Sequence, residues 1–168
     1  SIDIARAWEK AQADAPTPHT RKVALRSAMV MGVEPGGPFQ TLHQLVKLRL
    51  GGAAATGKQY VSWIHESDFV RAVLLLLERD DFSGAVNLAA PNPLPWNQFM
   101  GVLRGGRFGL PAAKWMLEVG AFVLRTETEL VLKSRRVVSA RLPAAGFTFE
   151  YPEWKAAAAD LVARSGAR

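Results

Sequence analysis

The chain has 168 residues, is 49% hydrophobic, carries a formal net charge of +6 and contains no cysteine. That length can bury one respectable core, and the missing cysteines exclude disulfides and thiolate metal sites and fit a reducing, cytoplasmic setting. No apolar run is long enough for a membrane span, no signal peptide is visible, and the basic residues are too dispersed and too poor in interleaved aromatics to suggest a nucleic-acid partner.

Read in chain order, the first residues already look like a helix in progress. Ile4, Trp8 and Ala11 fall at helical spacing, with no strand or cap before them. The chain is therefore read as the C-terminal part of something larger. A connector with Pro16 and Pro18 halts that helix. Residues 22–31 follow as a buried strand ending at Gly32, interrupted by Arg26. A charge in such a strand needs a partner, either Glu9 of the preceding helix or a cofactor. Residues 41–50 carry a helical stripe of Leu42, Leu45, Val46 and Leu50, with Gly51 and Gly52 as the stop.

The run from Gly57 to Asp68 is the most informative stretch. Residues 61–64 have strand character, and the period of two puts Gln59, Val61, Trp63 and His65 on one face. Asp68 is placed to cap a helix running to about Arg79. A strand ending in a histidine beside a helix start suits the wall of a binding site. His65 is either a substrate contact or proton donor, or it bonds the backbone at the strand end. Residues 84–89 read as a short strand, and 96–104 and 112–124 as helices. The capping-box pattern at Thr126–Glu129 suggests a further helix start. Residues 147–151 alternate like a strand, and an alanine-rich helix runs from Pro152 through Val162. Strands and helices alternate, so the expected class is α/β.

Several chemistries are excluded. Gly52–Lys58 satisfies most of the phosphate-loop pattern, but Gln59 stands where a hydroxyl should meet magnesium, and the helix and strand come in the wrong order. His19, His43 and His65 lack partners at ligand spacing, so no metal is expected. There is no G-x-S-x-G elbow and no G-x-G-x-x-G fingerprint.

With these segments in order, the chain resembles the C-terminal portion of epimerase family proteins. These are NAD-dependent epimerase/dehydratases of the extended short-chain dehydrogenase/reductase superfamily, in the branch with a characteristic extra C-terminal domain. The resemblance rests on Trp8-Glu9, Leu25-Arg26 through Gly32, Gly36-Gly37, Ser62-Trp63-Ile64-His65, Asp68, Asn87, Ser134-Arg135-Arg136-Val137 and Gly146-Phe147-Thr148-Phe149 with Tyr151-Pro152. It departs at Glu66-Ser67, where the family usually has a hydrophobic and an acidic residue, and at Ser139, where a proline is common.

The resemblance implies the C-terminal part of a Rossmann-like fold, with the N-terminal dinucleotide-binding βαβ units missing. Residues 1–91 would hold late sheet elements with interleaved substrate-side segments, and 92–168 the C-terminal substrate-side domain. Gln59, Trp63 and His65 would face the substrate, and Arg26, Met31, Gly32 and Val33 the NAD or NADP cofactor. No catalytic proton-transfer residue is expected in the chain, which alone would be inactive and bind no cofactor tightly. Its expected partners are a small-molecule substrate, the missing dinucleotide-binding domain and a further copy of itself. Two other roles stand beside this one: a non-catalytic module that pairs with a separate dinucleotide-binding chain, and, far behind, a nucleic-acid-binding module.

Overall fold

A computed structural model describes residues 2–52, 56–107, 109 and 134–166. The elements are α1 (Ile2–Asp14), β1 (Val23–Ser27), β2 (Met29–Met31), α2 (Pro38–Lys47), β3 (Tyr60–Val61) and β4 (Trp63–His65). There follow α3 (Glu66–Glu78), β5 (Gly84–Leu88), β6 (Leu94–Pro95), α4 (Trp96–Arg104), a short α5 (Arg141–Ala144) and α6 (Trp154–Gly166).

The strand expected over residues 22–31 divides at Ala28. Its first half pairs parallel with β5 and its second half parallel with β4. Ala28 N–H donates to Leu88 O, and the next amide, Met29 N–H, donates to Ser62 O. Ala90 N–H in turn donates to Trp63 O. β4 is thus flanked by β2 and by the chain leaving β5. β3 pairs antiparallel with β6. Among the described residues β1 has β5 as its one strand partner.

The alternation around residue 63 sorts side chains into two cores, as a pleated strand requires. Val61 and Trp63 join Met31, Phe39, Phe99, Trp154 and Leu161 in one cluster, under α2, α4 and α6. Ile64 joins Leu76, Val86, Leu88 and Leu142 in the other, under α3 and α5. In the first, Trp154 stacks on Phe99 with centroids 4.0 Å apart and tilts against Trp63 at 5.0 Å. Its indole N–H donates to Phe99 O at 2.9 Å, so the buried ring leaves no polar atom unpaired.

Three local expectations are corrected. The helix expected over 41–50 begins at Pro38, which suits a first turn that needs no N–H. It closes on Arg49 rather than on the glycines: Arg49 has φ +60°, Leu50 N–H donates to Leu45 O and Arg49 N–H to Val46 O. This is a Schellman closure with arginine in the left-handed position usually given to glycine. Gly51 serves packing instead, since a Cβ there would meet Val46 Cγ2 at 2.8 Å.

Asp68 is not the helix cap. α3 starts two residues earlier, and His65 Nδ1 accepts from Ser67 N–H at 3.1 Å. Residues 147–151 form no strand. The amides of Glu150 and Tyr151 donate to the two Asp68 carboxylate oxygens at 2.8 and 2.9 Å, so this segment satisfies its backbone on a side chain. The helix expected over 112–124 and the capping box at 126–129 lie outside the described residues. Among the described residues no helix is long and apolar enough to cross a membrane, and no cluster of His, Asp and Glu could hold a metal.

Candidate functional site

The parallel strands deliver two exits side by side. Register pairs Met29 with Trp63 and Met31 with His65. The exit of β2, Met31-Gly32-Val33, therefore meets the exit of β4 and the start of α3. All three exit residues are buried, as are Trp63 and His65. In parallel sheets ligands collect outside the carboxyl ends of the strands, which makes this junction the natural mouth of a site.

His65 is the most constrained side chain there, at 2% exposure. Its Nδ1 accepts the Ser67 amide proton, so Nε2 carries the ring's proton and donates to Asp160 Oδ2, 3.1 Å away on α6. The Tyr151 ring stacks over it with centroids 4.0 Å apart. Burial, with the neighbouring Asp160 and Glu150 carboxylates, raises the Tyr151 phenol above its ordinary pKa. Trp63 is fully buried and its indole N–H donates to Asn92 O at 3.1 Å. These two side chains thus form the inner wall of the junction, bonded inward.

Asp68, with no exposure, gathers the C-terminal segment. Besides the two amides it accepts from Arg71 Nη1 at 2.8 Å, and Arg71 Nη2 reaches Thr148 O at 3.0 Å. Ser67 Oγ donates to Glu150 Oε2 at 2.7 Å. One turn of helix therefore holds the loop that leads into α6.

The remaining candidates lie apart. Gln59 is buried at the entrance to β3, where its carbonyl accepts from Trp96 N–H at 2.8 Å and the Thr56 hydroxyl lies 3.5 Å from its Oε1. Arg26 is level with Asn87 in the β1–β5 pair. Of its two considered partners it has Glu9, in a two-point fork at 2.7 and 2.8 Å. Hydrogen bonding and charge from that carboxylate raise the Arg26 pKa, and Arg26 holds Glu9 below the ordinary glutamate range. Arg26 borders a cleft of about 430 Å³ that includes Met29, Tyr60, Ser62, Asn87 and Arg135. The segment around Arg135 is laid across this cleft by Ser62, whose Oγ donates to Arg135 O and accepts from Val137 N–H, both at 2.7 Å. Arg136 covers the Tyr60 ring at 5.0 Å.

Thus the β2 exit, Trp63 and His65 come together, whereas Arg26 and Gln59 occupy separate places. Sequence reasoning missed Glu66, Tyr151, Asp160 and Arg164, which complete the junction. The available signal was the acidic–basic spacing of Asp160 and Arg164 one helical turn apart. That spacing ordinarily marks a solvated helix face.

With this geometry in view, comparison with known proteins gives consistent findings. Residues 112–161 match the model of a domain of unknown function (DUF1731). An epimerase family protein of Staphylococcus aureus is 32% identical over 161 residues, covering 95% of this chain and 53% of that protein. One from Staphylococcus haemolyticus is 32% identical over 164 residues, with the same shares. The chain therefore spans about half the length of the curated relatives it matches. A human epimerase family protein solved with NADPH superposes with a TM-score of 0.80 at 27% identity, over 96% of this chain and 54% of that one. The nucleoside-diphosphate sugar epimerase from Corynebacterium glutamicum superposes with a TM-score of 0.74 at 25% identity, over 95% and 30%. The α/β fold is that of the epimerase and short-chain dehydrogenase/reductase chains, and it covers about half of the human one and 30% of the Corynebacterium one.

Proposed function

We propose, for a chain homologous to epimerase family proteins and folded like them, that it forms the substrate-side half of an NAD(P)-dependent epimerase- or oxidoreductase-like protein. The observation that carries this reading is the superposition, over nearly the whole chain, on a human relative solved with NADPH. The junction at Met31–Val33 and His65 would flank the reacting end of the cofactor. Trp63 and His65 would stiffen the substrate wall from behind, and Gln59 and Arg26 would border the approaches to it. The cofactor supplies hydride transfer when bound. This chain supplies a wall and a strand exit, and no glycine fingerprint for a pyrophosphate. Grip on the phosphates and the proton-transfer groups would come from the rest of the protein.

The molecular surface supports a partner of that kind. β1 keeps an edge without a described strand beside it, and an unpaired edge is a pairing site. On α1, β1 and α3, Leu25, Val70, Leu74 and Leu77 stand 45–68% exposed, with Trp8 at 73%. A depression of about 400 Å³ lined by Gln12, Leu25, Val73 and Leu77 lies between α1 and α3. Those features serve equally a second reading, a non-catalytic module that pairs with a separate dinucleotide-binding chain.

The test is NADPH binding by fluorescence, for this chain alone and for the same chain joined to the polypeptide encoded upstream of it. Binding by the joined form and none by the chain alone is the expected result. Equal binding by both would overturn the division of labour. If the upstream sequence holds no dinucleotide fold, the pairing-module reading replaces the first.

A further inference from the structure

We infer that Glu66 is a positioning residue for the β2 exit, and that Arg164 ties that exit to α6. The ligand in this inference rests on the reading above, while the linkage rests on the geometry of this chain. A Cβ at Gly32 would lie 2.1 Å from Glu66 Oε2 and 3.0 Å from its Cδ, so the carboxylate fills the space that a side chain at residue 32 would need. Its other oxygen, Oε1, accepts from Arg164 Nη2. Arg164 Nε donates to Asp160 Oδ2 at 2.8 Å, and that same oxygen accepts the hydrogen bond of His65 Nε2–H at 3.1 Å. His65 and Glu66 are neighbours in the chain, so the circuit closes.

Two members of the ring belong to the β4–α3 junction, and two lie one turn apart on α6. Burial alone would lower the Arg164 pKa. The hydrogen bonds that Arg164 donates to Glu66 and Asp160, with the charge of those carboxylates, more than offset this, so the guanidinium stays charged. Three of the side chains are held from two sides: His65 by Ser67 N–H and Asp160, Arg164 by Glu66 and Asp160, and Asp160 by His65 and Arg164; Glu66 is tied by Arg164 and lies against Gly32, where a side chain would otherwise be. A ring held this way does not deform at one point. Displacing Gly32 pushes the Glu66 carboxylate, and Arg164 carries that push into α6. α6 also places Trp154, Ala157 and Leu161 in the core that contains Met31 and Val33, so the two ends share packing as well as charge.

The ligand that would feel this is the one seated at the exit, a nicotinamide dinucleotide in the reading above. Glu66 acts on it through the Gly32 and Val33 backbone. The experiment uses the chain joined to its upstream polypeptide, as wild type, Glu66→Gln and Arg164→Gln. Glu66→Gln keeps the shape and removes the charge. NADPH affinity is measured by fluorescence, and amide exchange is followed at residues 32–34 and 160–166. Each variant is expected to bind NADPH about fivefold or more weakly. Exchange is expected to quicken at both segments together, with the global urea midpoint little changed. Wild-type binding that neither variant weakens would overturn the positioning role. Quickened exchange confined to 160–166 would overturn the linkage. Should the wild type bind no NADPH, the functional reading fails by itself. The exchange arm then still decides the linkage by whether the two segments loosen together.

Discussion

The β4–α3 junction and the outward face of α1, β1 and α3 lie within the same fold and follow opposite rules. At the junction, buried polar groups are fully partnered: His65 on both ring nitrogens and Asp68 by three donors. On the outward face, apolar side chains stand in solvent. The polar links there are exposed pairs such as Glu9 with Arg26 and Arg21 with Asp80. A region that satisfies its own polar groups needs nothing further. A region that leaves leucines and a tryptophan in water gains from being covered. The contrast separates the part of the fold that stabilises itself from the part that the proposed partner would complete.

The sharpest way to break the comparison is Asp68→Ala. It orphans the Glu150 and Tyr151 amides and leaves Arg71 without its carboxylate. The expected loss is about 3–5 kcal/mol in urea unfolding, the range for removing one partner of a buried charged network. A loss below about 1 kcal/mol would mean that the junction is not where stability concentrates. Next comes Ser139→Ala. Ser139 Oγ is the one buried side-chain oxygen or nitrogen without a partner among the described residues. Removing it is expected to raise stability by about 1 kcal/mol, since a buried unpaired hydroxyl is a net cost. A drop in the urea midpoint would show that the hydroxyl is satisfied after all.

On the open face the expected changes are smaller. Leu74→Lys and Leu77→Lys should each shift unfolding by no more than about 0.5 kcal/mol. The pair of changes should also prevent retention of the upstream polypeptide in co-purification. A large destabilisation would mean that this face is already packed. The smallest effect belongs to Glu9→Gln. Because Arg26 holds the Glu9 carboxyl below the ordinary glutamate range, the pair contributes fully above that range, and the contribution fades as pH falls through the lowered value. The variant should therefore be slightly less stable than wild type near neutrality and indistinguishable from it in acid. Added salt should narrow the difference as well. A gap that widens on acidification would reverse the assignment.

Much of the fold was legible in local patterns, and particular residues show where legibility stopped. The strand at residues 22–31, the helix at 96–104 and the alternation of Val61, Trp63 and Ile64 were readable because each follows from spacing along one segment. The change of strand partner at Ala28 was not, because it depends on β4 arriving beside β2. Asp68 has the chemistry of a cap and stands where a cap is wanted. A histidine two residues before the helical amide took that place, and the freed carboxylate went to a loop more than 80 residues away. The alternating aromatics at residues 147–151 looked like a strand for the same reason that they pack well: both need side chains on alternate sides.

The sequence by itself determined the α/β class, the candidate junction at Trp63 and His65, the lack of a glycine fingerprint and the resemblance to epimerase family proteins. These rest on side-chain type and short-range period, which a linear chain displays in full. Only the tertiary structure decided which polar groups would answer one another. It paired Arg26 with Glu9, turned His65 inward to Asp160, gave Asp68 to the C-terminal loop and closed Glu66, Arg164, Asp160 and His65 into one ring. Burial makes each unpaired charge or amide costly, so beyond pairs one helical turn apart such as Asp160 with Arg164, partners are chosen by what the packed apolar faces bring within reach.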